Sequence, residues 1–330
     1  MAVIIRPFTS DDYPTMVAAR NAAYPDYPES IEDWHHFDEN LDQRCPLVRF
    51  VAEVNGKIVG SVQAHQMPWA YHPQKFVLGL SVDPAYQNRG IGRRLYDAMM
   101  EELAPQNPIS FLASLRDDWA AAKHFALSRG FEVKMHYWES WLNIPQFDPA
   151  PFLPVIDKVL GQGIRIITLG EAMANDPDHA RKIYRLVQDV LADVPMPEPY
   201  TEVAYDVWYK GFFSNPNILP DGYFLAVDGE QYVGLSALWQ IHGLQDLQTG
   251  LTGVLRSHRR RGIALALKLK ALEYARNYGA TYVRTGNEQN NRAMLSINEM
   301  LGFAKMPPWM DLIKQVRAET SEELEVAEQA

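Results

Sequence analysis

The 330-residue chain has a single cysteine, Cys45, so neither an intramolecular disulfide nor a thiolate metal cluster can form, and Cys45 reads as a structural residue. No apolar run approaches the roughly 18 residues needed to cross a bilayer. The first residues, Met1 to Pro7, lack a basic start followed by a long apolar stretch. A cytoplasmic protein with no membrane partner is therefore expected. Positive charge is also scarce: 31 Lys and Arg against 41 Asp and Glu give a net charge of −10. General nucleic-acid binding, which needs a basic face to displace counterions, is not expected. No Gly-Lys-Ser/Thr occurs, which excludes a Walker-type phosphate loop, and neither half begins with Gly-x-Gly-x-x-Gly. No metal site is expected.

The chain does carry one turn twice, as Gln87-Asn88-Arg89-Gly90-Ile91-Gly92 and Arg259-Arg260-Arg261-Gly262-Ile263-Ala264. Each copy sits in a matching frame. Upstream, Phe50 to Glu53 leads through Gly56 to Val59-Gly60, as Phe224 to Val227 leads through Gly229 to Val233-Gly234. Downstream, Gly130-Phe131 answers Gly302-Phe303. The shifts are 174 residues for Gly60 and Gly234, then 172 for Gly90 and Gly262 and 172 for Gly130 and Gly302. A duplication follows, and a repeat this long is a whole domain, not a solenoid unit. The prolines 145, 149, 151 and 154 fit a connector, which divides the chain into domains at 1–148 and 149–330.

Each half alternates strands and helices. In the first, a strand at Val3 to Arg6 precedes a helix over 9–23, and two β-rich runs, Val48 to Glu53 and Ile58 to Gln66, flank the hairpin signal Asn55-Gly56. A strand to Val82 then leads into the glycine turn and a helix over 91–103. The second half repeats this from Ile164, with a stripe of Ile183, Leu186, Val187, Val190 and Leu191 on its first helix. In both halves an aromatic-rich stretch, 24–45 and 194–217, reads as cover over a pocket. The tail from Arg317 to Ala330 is acidic, polar and expected to fray.

A glycine turn between strand and helix leaves backbone N–H groups uncovered, and they converge with the unsatisfied N–H groups of the helix's first turn. That is a nest for an anion. Basic residues crowd both copies: Arg89, Arg93 and Arg94 in one, Arg256, Arg259, Arg260 and Arg261 in the other. Cations are usual at helix C-termini, so this placement at two N-termini calls for a bound anion.

With this frame, both halves resemble the GNAT acyltransferase superfamily, whose acetyl-CoA motif is Gln/Arg-x-x-Gly-x-Gly/Ala. The resemblance implies an α/β fold of the α+β kind, two tandem GNAT-like domains, each a mixed, mostly antiparallel central sheet flanked by helices. It implies acetyl-CoA at Gln87 to Gly92 and at Arg259 to Ala264, with Leu80, Ser81 and Val82, and Thr252, Gly253 and Val254, on the pantetheine arm. Asn291, eleven residues before Gly302, matches the family's cofactor-contacting Asn, whereas Trp119 stands at that distance from Gly130. Catalysis is accordingly expected in the second domain.

Many members place a Tyr four residues before that glycine as the acid; here the positions are Ala126 and Asn298. Asn298 is carried as a polar candidate, the N–H of Val254 as oxyanion donor, and Glu288 as base, with Asp246 as a further carboxylate. The expected activity is direct transfer of an acetyl group from acetyl-CoA to a small-molecule or peptide amine. The alternative is a non-catalytic acyl-CoA-binding or regulatory protein. A narrower version is an enzyme similar to mycothiol synthase, which shares the two-copy layout.

Overall fold

A computed structural model describes residues 2–320 and 323; the rest of the acidic tail lies outside the described residues. Two compact units emerge: unit 1 is Met1–His136, Pro197–Val203 and Trp309–Ala330, and unit 2 is Tyr137–Met196 and Ala204–Pro308.

Unit 1 is built from β1 (Ile4–Pro7), α1 (Tyr13–Ala23), α2 (Ile31–Asn40), β2 (Val48–Val54), β3 (Lys57–His65), β4 (Lys75–Val82), α3 (Ile91–Leu103), β5 (Ser110–Arg116) and α4 (Ala120–Leu127). The long strand β6 (Glu132–Asn143) begins here, but from Tyr137 onward it belongs to unit 2. Unit 2 adds α5 (Leu153–Leu160), β7 (Ile164–Thr168), α6 (Leu169–Asn175), α7 (His179–Leu191), α8 (Tyr205–Phe213), β8 (Ile218–Asp228), β9 (Gln231–Gln240), β10 (Leu247–Val254), α9 (Ile263–Tyr278), β11 (Tyr282–Glu288), α10 (Arg292–Leu301) and β12 (Ala304–Lys305). The chain then returns to unit 1 as β13 (Trp309–Gln315).

The strand order is β1-β2-β3-β4-β5-β13 in unit 1 and β7-β8-β9-β10-β11-β6 in unit 2. All neighbours are antiparallel except the pairs β4/β5 and β10/β11, which are parallel. The mixed, mostly antiparallel sheet flanked by helices is thus present in both. Each unit draws its sixth strand from a distant part of the chain: β13 pairs with β5 from Trp309↔Arg116 to Gln315↔Ser110, and β6 pairs with β11 from Asn143↔Tyr282 to Tyr137↔Glu288.

Local chemistry explains the boundaries. Asn55 and Gly56 both take positive φ, +50° and +78°, the twist that a two-residue hairpin needs. After Gly130 one continuous strand runs, since nothing in Glu132–Asn143 lacks a ladder donor. The connector contains α5, a helix tolerated because Pro154 falls in its first turn, where its missing N–H removes no intrahelical bond. On one face of the unit 1 sheet, α3 seats Leu95, Met99 and Leu103 against Val59, Val62 and Phe111, all with almost no exposure. Each such side chain contributes about 1.5–3 kcal/mol by leaving water. Among the described residues no helix is long and apolar enough to cross a membrane.

Candidate active site

Both parallel pairs open into a gap. The β4/β5 register runs only from Lys75↔Ser110 to Val77↔Leu112, and β10/β11 pairs only at Leu247↔Val283 and Gln248↔Arg284. Beyond these points the strands diverge. Val82 lies opposite Gly60 while Asp83 N donates to Val59 O (2.8 Å), so the N–H and C=O of Val82 point away from β3 into the gap. By alternation those of Leu80 do too. Unit 2 has the same arrangement, with Val254 opposite Gly234 and Leu255 N donating to Val233 O (2.9 Å). The peptide of Val254 therefore faces a gap, as an oxyanion donor must.

The two glycine turns share a backbone. Gln87 Nε2 donates to Val82 O (2.9 Å) and Arg259 Nε to Val254 O (3.0 Å), tying each turn to its strand end. Asn88 and Gly90 have φ of +59° and +77°, and Arg260 and Gly262 of +61° and +89°. Gly90 and Gly262 are the left-handed N-caps of α3 and α9, a conformation that costs glycine little. Ile91 and Ile263 point inward and are buried.

What covers the turns differs. A Cβ built on Gly90 would meet nothing within 4 Å, and Gln87 to Gly90 are exposed. The turn is open on that side. A Cβ on Gly262 would lie 3.5 Å from both Val155 and Val159 of α5, and Val159 is fully buried against Ile263 and its neighbours. Gln162, just past α5, accepts from Arg261 Nε (2.9 Å) and donates to Arg261 O (3.2 Å). Arg256, Arg259 and Arg261 of this turn are engaged as well. Arg256 Nε donates to Asp193 (3.0 Å), Arg259 pairs with the same carboxylate, and Asp228 takes His258 (3.2 Å) and Arg261 (3.4 Å). The bonds from Arg256 in particular pull the Asp193 pKa down to about 2. In unit 1, Arg93 pairs only with Asp97 on its own helix (3.4 Å), Arg94 donates to Val3 O, and Arg89 lies 5.5 Å over Tyr86.

Unit 1 also has a half-open cavity of about 230 Å³ beside its gap. Its floor is one face of the sheet: Ser61 and Gln63 of β3, Gly79 and Ser81 of β4, and Ser114 of β5. Its roof is the end of α1 and the segment leading into α2: Arg20, Tyr24, Tyr27, Glu29 and Trp34. Leu80 of β4, Trp119 and Trp309 complete it. The Tyr24 hydroxyl donates to Leu80 O (3.1 Å), fixing the roof to the gap. Arg20 Nη2 pairs with Glu29 Oε1 (2.9 Å), and Asn21 brackets Glu29 through two backbone bonds of 2.7 and 3.0 Å. Desolvation at the wall raises the Glu29 pKa above the ordinary carboxylate range, against the pull of Arg20. Burial raises that of Tyr24 as well. Neither Tyr24 nor Glu29 was singled out from sequence; the aromatic and acidic enrichment of 24–45 was the available signal.

In unit 2 the same face is filled. Leu235 and Gly253 stand opposite each other where unit 1 has Ser61 and Ser81. Val190 of α7 lies on Gly253 so closely that a Cβ there would be 2.1 Å from its Cγ1. Trp239 covers Gly250, and Tyr205, Trp208 and Phe212 of α8 pack in an aromatic cluster with Tyr184, Tyr223 and Trp239. Tyr200 lies in the segment assigned to unit 1.

The second half's other candidates serve local structure. Asn291 caps α10, its Oδ1 accepting from Met294 N (3.3 Å). Glu288 is buried and accepts from the Asn290 backbone (2.8 Å) and side chain (2.9 Å). Asn298 is buried on α10 and donates to Asn287 Oδ1 (2.6 Å), while its own Oδ1 has no partner. Asp246 forms a buried pair with Arg284, whose Nε donates to it at 3.0 Å. Cys45 is buried, with its thiol pKa pushed up to about 12, and is not a nucleophile.

Comparison with known proteins agrees with this geometry. The Acetyltransferase (GNAT) family model matches residues 11–131 and again 183–303. The chain is 26% identical over 269 residues to a mycothiol acetyltransferase of Amycolatopsis mediterranei, covering 77% of this chain and 80% of that one. Among solved structures it resembles a tandem GNAT protein from the clavulanic acid biosynthesis pathway (TM-score 0.74, 19% identity, 97% of this chain and 100% of the other). It also resembles a GCN5-related N-acetyltransferase from Sphaerobacter thermophilus (TM-score 0.66, 20% identity, 96% and 97%). Two matched segments, two open-ended parallel pairs and two strand-turn-helix nests together establish that the chain is an acetyltransferase of the GNAT family, with the family's domain present in tandem.

Proposed function

We propose that this enzyme binds one acetyl-CoA per chain, at the unit 1 turn, and transfers its acetyl group to an amine held in the unit 1 cavity. The supporting observation is the contrast at the two turns: Gly90 faces open space while Gly262 lies under Val155 and Val159. The sequence favoured the second copy because Asn291 is present there. Its side chain is engaged as a helix cap, which weakens that preference.

Acetyl-CoA supplies a thioester carbonyl, and the N–H groups of Leu80 and Val82 face the gap where its oxygen would develop negative charge. Tyr24 donates to Leu80 O and so holds the Leu80–Ser81 peptide, which lies between the peptides of the two donors. Glu29, with its pKa raised by burial, accepts the proton lost by the attacking nitrogen. Direct attack is favoured because Cys45 is buried and protonated. Isothermal calorimetry of the full chain tests the reading: a stoichiometry of one acetyl-CoA is expected. Two sites of comparable affinity, or one site lost in Gly262→Asp but retained in Gly90→Asp, would overturn it.

A further inference from the structure

The unit 1 cavity has a selective lining, and we propose that it admits a small arylalkylamine, a primary amine on an aromatic carrier with no carboxylate or phosphate beside the nitrogen. The inference rests on the proposal that transfer occurs in unit 1. Three features carry it. Size comes first: about 230 Å³ lies below the roughly 300–1,000 Å³ of pockets for drug-sized ligands, so the part of the acceptor held inside is small.

Aromatic surface comes second. Tyr24, Tyr27, Trp119 and Trp309 contact one another as a continuous wall, with Trp119 4.9 Å from Tyr24 and 5.1 Å from Trp309, and Tyr27 5.1 Å from Trp309. Such faces attract an ammonium group and stack on an aryl ring. Trp119 stands where unit 2 has Asn291, so this wall belongs to the first copy only.

The state of the polar groups comes third. Arg20, the cation in the lining, is committed: it pairs with Glu29 and donates to Tyr27 O and Asn21 Oδ1. It is not available to an acceptor carboxylate. Several neutral groups are engaged too, with Gln63 Oε1 accepting twice from Arg49, the Ser114 hydroxyl donating to Asp311, and the Ser61 and Ser81 hydroxyls 3.5 Å apart, whereas Trp34 Nε1 has no hydrogen-bond partner among the described residues. A polyhydroxylated amine would find few partners for its hydroxyls and would lose its hydration on entry. The ammonium is drawn to the Glu29 carboxylate and loses one proton to it; the freed nitrogen attacks the thioester carbonyl, the C–N bond forms as the C–S bond breaks, and the CoA thiolate leaves as the thiol with the second nitrogen proton.

The test is CoA release by the purified full-length chain with acetyl-CoA and four amines: 2-phenylethylamine, tryptamine, phenylalanine and glucosamine. The first two should exceed phenylalanine and glucosamine by about tenfold or more in kcat/KM. Trp119→Ala should raise KM for 2-phenylethylamine about tenfold with KM for acetyl-CoA little changed, and Trp119→Phe should recover most of the loss. Equal or better turnover of phenylalanine or glucosamine, or a Trp119→Ala chain that keeps its melting temperature and loses no discrimination, would overturn the acceptor assignment. Running the panel on Gly90→Asp and Gly262→Asp separates the two proposals. Turnover that depends on Gly90 but prefers glucosamine sinks only the acceptor class. Turnover that depends on Gly262, or none with any amine, sinks the assignment of transfer to unit 1 as well.

Discussion

At one place in the two sheets the repeats have gone in opposite directions: Ser61 and Ser81 floor a cavity in unit 1, whereas Leu235 and Gly253 lie under Val190 in unit 2. The backbone is shared down to the left-handed N-cap of the helix after the gap, so the fold does not decide which copy has room for a substrate. A few side chains do. Unit 2 replaces an open floor by hydrophobic core, and α5 packs against its turn. The difference teaches that a nest motif reports backbone shape, and that access is a separate property, set by whatever else the chain lays over it.

The sharpest way to break this comparison is to place a carboxylate in each nest. Gly90→Asp is expected to lower turnover by on the order of 100-fold or more by repelling the diphosphate, while Gly262→Asp leaves turnover within about threefold. Steady-state kinetics with circular dichroism as a fold control would check the ranking, and the reverse order would move catalysis to unit 2.

Next in size is Glu29→Gln, expected to reduce kcat by about 100-fold. Because Glu29 acts only when deprotonated and its pKa is raised, the wild-type rate should climb with pH along a limb displaced above the ordinary carboxylate range. That limb should vanish in the variant; a retained limb would remove Glu29 as the base.

A third comparison lies at equivalent positions of α3 and α9. Tyr96 accepts a hydrogen bond from Lys314 (2.8 Å), while Lys268 is buried, 5.4 Å over Phe303, with its pKa lowered by desolvation to about 8. Between about 8 and the ordinary 10.5 the unfolded chain binds more protons than the native one, so stability rises with pH across that window. Lys268→Met should therefore stabilise by up to about 3 kcal/mol below pH 8, the gain fading from about 8 and gone above the ordinary lysine value of 10.5. Chemical denaturation at several pH values measures it, and an effect independent of pH would contradict the argument.

The smallest effect expected is for Gly253→Ala, whose new methyl meets Val190 and should destabilise by about 1–2 kcal/mol with kcat unchanged. Thermal melts and kinetics on the same preparation would check both halves of that statement.

Much of the architecture was legible because its signals are local. Asn55-Gly56 declares a hairpin, and Gly90 and Gly262 declare left-handed caps, from a few adjacent residues. The site was legible only up to its backbone. That Val155 and Val159 cover Gly262 depends on a helix about a hundred residues upstream, in a stretch whose prolines read as a connector. Asn291 and Glu288 were named for chemistry from sequence, which does not reveal that they also hydrogen-bond Met294 N and Asn290. A pocket under 24–45 was expected, but its lining was not legible, because Tyr24 and Glu29 gain meaning only when α1 lays them over β4. The strand β13 had no distinguishing signal, since Trp309–Gln315 alternates too briefly to announce a partner as distant as β5.

That distant partner bears on biogenesis. A ribosome that has released the first 300 residues has delivered nearly everything in unit 1 except the strand that completes its sheet, and β5 must wait with an unpaired edge until Trp309–Gln315 emerges. A chain shortened by a few dozen residues at its far end should thus damage the domain encoded first, so C-terminal truncations are poor starting points for isolating the amino-terminal half.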